Sequence, residues 1–92
     1  MPSESKIQKE LKREIGNLGL LTKISDRFTS GVPDYFFVGR GKTIFIETKA
    51  TGEKLRKLQI YFMRQIIKNG GLHFIIDSSE SIQHLKSFIT KF

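Results

Sequence analysis

Four polar residues stand where a folding chain has reason to avoid them, and all four could act on a phosphate group. Asp34 directly follows Gly31-Val32-Pro33, where the proline ring stiffens the entry to a β-rich run and so fixes where the carboxylate points. Glu47 and Lys49 close the run Thr43-Ile44-Phe45-Ile46-Glu47-Thr48-Lys49. Residues two apart in a strand share a face, so the carboxylate and the ammonium project to the same side. Putting both at the end of an apolar strand costs desolvation unless they pair or bind an ion. Gln59 lies about 40° from Leu55 on a helical wheel, within the stripe Leu55, Leu58, Phe62 and Ile66. An amide there needs a hydrogen-bond partner at the sheet end. Taken singly, each has an ordinary structural explanation: a turn aspartate, a solvated ion pair, a boundary amide.

Glu4 adds a fifth polar group, three residues before Ile7 and hence on the apolar face of the first helix. A carboxylate in a first turn is also favourable with the helix dipole. Glu10 lies well off that face, whereas Glu14 is closer to it and competes with Glu4 for any role.

The elements that must position these groups follow from periodicity. Ile7, Leu11, Ile15 and Leu18 predict an amphipathic helix from Ser3 to about Leu18. Ser5 with Gln8 fits a capping box, and Ser3 is the alternative cap. A strand is expected around Leu21 to Arg27. Tyr35 to Val38, the turn Gly39-Arg40-Gly41-Lys42 and the run from Thr43 make a β-hairpin. Its second strand is apolar on both faces, as a central strand covered on both sides would be. A helix over about Lys54 to Lys68 stops at Asn69-Gly70-Gly71. A strand over Leu72 to Ile76 and a helix over roughly Ser81 to Lys91 complete the order αβββαβα.

Size and charge bound the function. Ninety-two residues make one small domain, residues 1–92, with room for one core and a shallow cleft. With no cysteine, there is no disulfide framework, thiolate zinc site or thiol nucleophile. Lys plus Arg number 16 against 9 for Asp plus Glu, a net charge of +7, which makes a polyanion the expected partner. The excess is spread along the chain, since thirds ending at Ser30, Ile60 and Phe92 hold six, six and four basic residues. No apolar run reaches the roughly 18–20 residues of a membrane span, and the N-terminus lacks a signal-peptide core, so the expected location is the cytoplasm. His73 and His84 have no neighbours that suggest zinc or an acid–base pair. Gly39-Arg40-Gly41-Lys42 lacks the Walker spacing and joins two strands. Of Tyr35, Phe36 and Phe37, one ring could be left exposed for stacking on a base.

Pro33-Asp34, twelve intervening residues, Glu47-Thr48-Lys49 and then Gln59 form an ordered motif. It resembles the PD-(D/E)XK nuclease superfamily, and most closely its VRR-NUC branch with its small stand-alone phage forms. Glu4-Ser5-Lys6-Ile7-Gln8, Gly31-Val32-Pro33-Asp34, Phe45-Ile46-Glu47-Thr48-Lys49-Ala50 and Gln59 carry the resemblance, which covers Glu4 to about Ile76. The layout is also similar to archaeal-type Holliday-junction resolvases, whose loop Arg27 and Ser30 faintly resemble.

The resemblance implies an α/β restriction-endonuclease-like core with a mixed sheet of about four strands, flanked by helices. It implies a Mg²⁺- or Mn²⁺-dependent endodeoxyribonuclease. Hard divalent ions take oxygen ligands: Asp34 and Glu47, with the Thr48 carbonyl, and Glu4 as an outer or second-metal ligand. Lys49 would orient the attacking water or stabilise phosphoryl charge, and Gln59 would hold Lys49 or the water. Arg40, Lys42, Lys54, Arg56, Lys57 and Arg64, with Arg27 and Ser30, are candidate DNA contacts. By analogy, a homodimer would suit branched or flapped DNA, including four-way junctions. Two rival readings are a non-catalytic nucleic-acid-binding module on the same fold and a protein-interaction domain with incidental basicity.

Overall fold

A computed structural model describes residues 2–24 and 29–91. The elements are α1 (Glu4–Ile15), β1 (Leu20–Lys23), β2 (Tyr35–Gly39), β3 (Lys42–Thr48), α2 (Lys57–Lys68), β4 (Leu72–Ile76) and α3 (Ser79–Thr90), in the αβββαβα order read from the sequence. Ser3, not Ser5, caps α1: its side chain accepts from the Lys6 N–H, leaving Ser5 within the first turn. α3 begins two residues earlier than its periodicity suggests, because the Ser78 hydroxyl accepts from the Ser81 N–H and closes the first turn. β1 ends at Lys23; the expected continuation to Arg27 lies partly outside the described residues.

The sheet has the order β1-β2-β3-β4, antiparallel except for the parallel pair β3–β4 that α2 connects. β3 is therefore interior, as its apolar run requires. The β2–β3 turn is the two-residue loop Arg40-Gly41 between the paired Gly39 and Lys42. Both loop residues have positive φ, 51° and 76°, as a turn that follows the right-handed twist of its strands demands.

Alternation along β3 divides the molecule into layers. Ile44 and Ile46, paired with Phe37 and Tyr35, face α1 and α3 and form the core with Ile7, Leu11, Ile15, Ile76, Ile82, Leu85 and Ile89. Tyr35 and Phe37 are thus fully buried and unavailable for base stacking; Phe36 is half-buried. Phe45 and Glu47 face the other way, toward α2. That helix is seated differently from the sequence expectation. Leu55 precedes it and Leu58 is 53% exposed, while Gln59 is its one buried residue, with Phe62, Met63 and Ile66 half-buried along the same side. α2 leaves part of the sheet open, with Leu20, Val38 and Ile75 exposed.

Candidate active site

The C-terminal end of β3 carries polar groups to both faces of the sheet. Glu47 and Lys49 emerge on the α2 side and Thr48 on the α1 side, because neighbouring strand residues alternate. The ladder continues one residue past the strand, with the Lys49 N–H donating to the Ile76 carbonyl at 2.9 Å. This holds Lys49 in strand register, and both it and Glu47 are buried, at 8% and 1% exposure. Beyond Lys49 the chain turns through Ala50–Glu53, closed by the Glu53 N–H to the Ala50 carbonyl. Gly52 supplies the positive φ of 88°.

Asp34 is fixed from two directions. Pro33 is buried and immobilises its backbone entry, and the Asp34 carbonyl accepts from the Ile24 N–H at 2.7 Å. One carboxylate oxygen, Oδ2, takes two hydrogen bonds from Thr48, from the N–H at 2.9 Å and the hydroxyl at 2.7 Å. Thr48 serves here through its side chain and its amide N–H. The threonine hydroxyl accepts in turn from Gln8 Nε2 at 2.8 Å, and the same Gln8 nitrogen is 3.3 Å from Glu4 Oε2. Glu4 thus belongs to the site's periphery, on the α1 side. Glu14 does not: it bonds Gln83 and Lys86 of α3, and these contacts hold its carboxyl below the usual range.

Gln59 bridges α2 to β3. Its Oε1 accepts from the Arg56 N–H at 2.8 Å, which orients the amide so that Nε2 donates to Glu47 Oε1 at 3.2 Å. This is half of a capping box; Arg56 has no acceptor to complete it. The other Glu47 oxygen, Oε2, is buried without a hydrogen-bond partner. Burial first, then the neighbouring Asp34 carboxyl, push the Glu47 pKa up to about 8, against an opposing pull from Lys49. Two carboxylates face each other with one oxygen unpartnered, the signature of a site short of positive charge. Among the described residues no three Asp, Glu, His or Cys side chains cluster as a metal-holding group, so side-chain coordination would rest on the Asp34–Glu47 pair.

The expected DNA contacts separate into three sets. Ser30, Arg56 and Lys57 line a cleft of about 520 Å³ together with Gly31, Leu58 and Gln59, so they adjoin the site through Gln59. Lys54 is exposed in the loop before α2, and Arg64 lies two turns along that helix, in a separate depression with Lys57, Ile60 and Tyr61. Arg40 and Lys42 are not brought to the site. They sit at the hairpin end of β3, about 16 Å from Glu47 at 3.3 Å per residue, and Lys42 Nζ is committed to the Ile89 and Lys91 carbonyls at 3.4 and 3.0 Å. Arg27 lies outside the described residues. Gln8 is read from the sequence as a capping partner of Ser5 and as part of the resemblance, with no role in the site; the structure instead gives its side chain to Thr48 and Glu4. The signal for that role was the i, i+4 spacing from Glu4, on the flank of the buried α1 face.

No protein-family model and no curated protein matches the chain. Among solved structures, one described as a VRR_NUC domain superposes with a TM-score of 0.82 at 27% identity, covering 97% of each chain. The fold is that of the VRR-NUC family. With it comes a nuclease-domain setting for the acidic pair. Within the VRR-NUC fold of this chain, Asp34, Glu47, Lys49 and Gln59 converge on the C-terminal end of β3, joined by Thr48, Gln8 and Glu4. No helix among the described residues is long and apolar enough to cross a membrane.

Proposed function

We propose that the chain is a divalent-metal-dependent endonuclease that hydrolyses DNA phosphodiester bonds, acting on branched or flapped DNA as a homodimer. One observation carries the reading: Glu47 Oε2 is buried with no donor, beside the second carboxylate of Asp34. A site that needs a cation this badly is suited to Mg²⁺ or Mn²⁺. The oxygen-only set of Asp34, Glu47 and the Thr48 carbonyl matches the preference of hard ions.

Each residue then has a task. A bound divalent ion would supply Lewis acidity and a water of lowered pKa. Thr48 holds Asp34 Oδ2 with two donors, which leaves Oδ1 for coordination. Gln59 holds Glu47 Oε1 and so presents Oε2. Lys49 brings a buried ammonium to the same face as Glu47, where it stabilises negative charge growing on the phosphoryl oxygens. Gln8 aligns Glu4 with Thr48 and keeps the outer carboxylate within reach of water or a second ion. Lys54 and Arg64 extend a basic surface along the α2 side.

The test is cleavage of linear, flapped and four-way DNA with Mg²⁺, Mn²⁺ or chelator. Wild-type protein cuts only with metal; Asp34→Asn and Glu47→Ala abolish cutting and retain DNA binding. Cutting by either variant would break the site assignment, and metal-independent binding without cutting by wild type would favour the non-catalytic module.

A further inference from the structure

Basic residues are spread along the sequence, yet the fold gathers several of them on the outer face of α1, on the side of the sheet away from α2. Placed at about 100° per residue around the helix, Ile7, Leu11 and Ile15 take about 0°, 40° and 80° and are fully buried. Lys6, Lys9, Lys12 and Arg13 fall between about 140° and 260°, almost opposite, and all four are exposed. The carboxylates of the helix lie outside that arc and are engaged sideways. Glu4 accepts from Gln8 at 3.3 Å, Glu10 from the Ser79 hydroxyl at 2.8 Å, and Glu14 from Gln83 and Lys86. Arg13 also reaches Glu14, at 3.4 Å; Lys6, Lys9 and Lys12 form no ion pair among the described residues. The other helix of this layer is different, since Glu80 and Lys86 are the charged residues of α3. One further cation joins this side at the site itself. Lys23 pairs across the sheet with Tyr35, so its side chain leaves on the α1 side, with the ammonium 6.0 Å from the centre of the Tyr35 ring. The next residue ties β1 to the acidic pair, because the Ile24 N–H donates to the Asp34 carbonyl.

We propose that the outer face of α1, with Lys23 at its site end, is a second phosphate-binding surface that holds the backbone of a DNA duplex on the side of the sheet opposite α2. Resting on the nuclease reading for its partner, the surface matches that partner in spacing. From Lys6 to Arg13 the helix rises about 10.5 Å, and three successive phosphates along one strand advance about 10.2 Å. Lys6, Lys9 and Arg13 lie within about 60° of one another on the wheel, so they form a single row. An anionic lipid surface fits less well, because a helix lying on a membrane inserts an apolar face and that of α1 is packed in the core. The same helix carries Gln8, which donates to Thr48 at 2.8 Å, and Thr48 holds Asp34. Backbone gripped on α1 is thereby held in a fixed relation to the acidic pair.

The experiment is fluorescence anisotropy of a labelled duplex in EDTA, which reads binding without cleavage, repeated across a range of salt concentrations. The variant carrying Lys6→Ala, Lys9→Ala and Arg13→Ala keeps good helix formers at exposed positions, and its melting curve confirms that it folds. It lowers the slope of log affinity against log salt by about 2.7, at about 0.9 for each lost phosphate contact. Lys23→Ala lowers the slope by about 0.9. Arg40→Asn, a charge loss at the hairpin end of the sheet, leaves the slope unchanged. An unchanged slope in the triple variant overturns the proposal, as does a fall of the same size per charge in Arg40→Asn. Sedimentation with vesicles of phosphatidylserine and phosphatidylcholine tests the lipid alternative: vesicle binding that the triple variant loses while its DNA slope stays at the wild-type value overturns the proposal too. If the slopes fall as stated while wild type cuts nothing with either metal, the nuclease reading falls and the α1 surface stands.

Discussion

Replacing Glu47 by glutamine should make the metal-free protein more stable, by an amount that grows with pH. Glu47 has an ordinary pKa of 4.5 raised to about 8, by burial and then by Asp34. The folded state therefore binds a proton that the unfolded chain releases, and the native state is favoured below pH 4.5. That advantage is lost as pH rises through about 8. At 1.36 kcal/mol per pH unit the loss amounts to about 1 kcal/mol at pH 5, about 2 at pH 6 and about 4 at pH 8, an upper bound because water entry and side-chain adjustment relieve part of it. The amide of the Glu47→Gln variant cannot ionise. Its oxygen can still accept from Gln59 and its nitrogen can donate to Asp34. Urea unfolding in EDTA at several pH values measures the gap between variant and wild type, which should open from near 1 toward about 4 kcal/mol across the range. Mg²⁺ should then stabilise wild type and leave the variant unchanged, with wild-type metal affinity rising up to tenfold per pH unit until about pH 8. Two unfolding curves that stay parallel from pH 5 to pH 8 would refute the assignment of a strained, proton-bearing Glu47.

Gly31→Ala forces a Cβ to within 2.5 Å of the Leu58 carbonyl carbon at a positive φ and should cost about 2–3 kcal/mol in urea unfolding. Lys42→Met removes the ammonium bound to the Ile89 and Lys91 carbonyls and stacked over Phe88; it should lower stability by about 1 kcal/mol and leave DNA affinity within twofold in anisotropy titrations. Arg40→Asn relieves the positive φ of 51°, because asparagine tolerates the left-handed region, and should raise stability by about 0.5–1 kcal/mol as read from the melting temperature.

Much of this site could be read from residue order because a central strand with charges at its end violates the pattern of its own surroundings. Ile44 and Ile46 announce the buried face, Glu47 and Lys49 break it, and Pro33-Asp34 marks the neighbouring strand's entry. The α2 face was misjudged for the complementary reason. Gln59 is found where the wheel puts it, reaching Glu47 at the sheet end, but periodicity also assigns core positions to Leu55 and Leu58, whereas Leu55 precedes the helix and Leu58 is left to solvent. Gln8 reads as a cap partner of Ser5 and not as a site residue because its partner Thr48 is forty residues away in the chain, and no local pattern encodes that meeting. The placement of Arg40 and Lys42 depends on which end of β3 faces the α3 terminus, a tertiary fact.

The two-residue Arg40-Gly41 turn has a larger consequence than closing a hairpin. Side chains along β3 alternate in phase, and the turn sets that phase for every residue up to Lys49. A one-residue insertion that slips the register of β3 by one would carry Glu47 into the Ile44 and Ile46 layer and bring Thr48 to the α2 side, trading a carboxylate held by Gln59 for a charge stranded in hydrocarbon. The chemistry at one edge of the sheet is thus keyed to a bend about 16 Å away, and insertions there should be purged far more strictly than its exposure to solvent suggests.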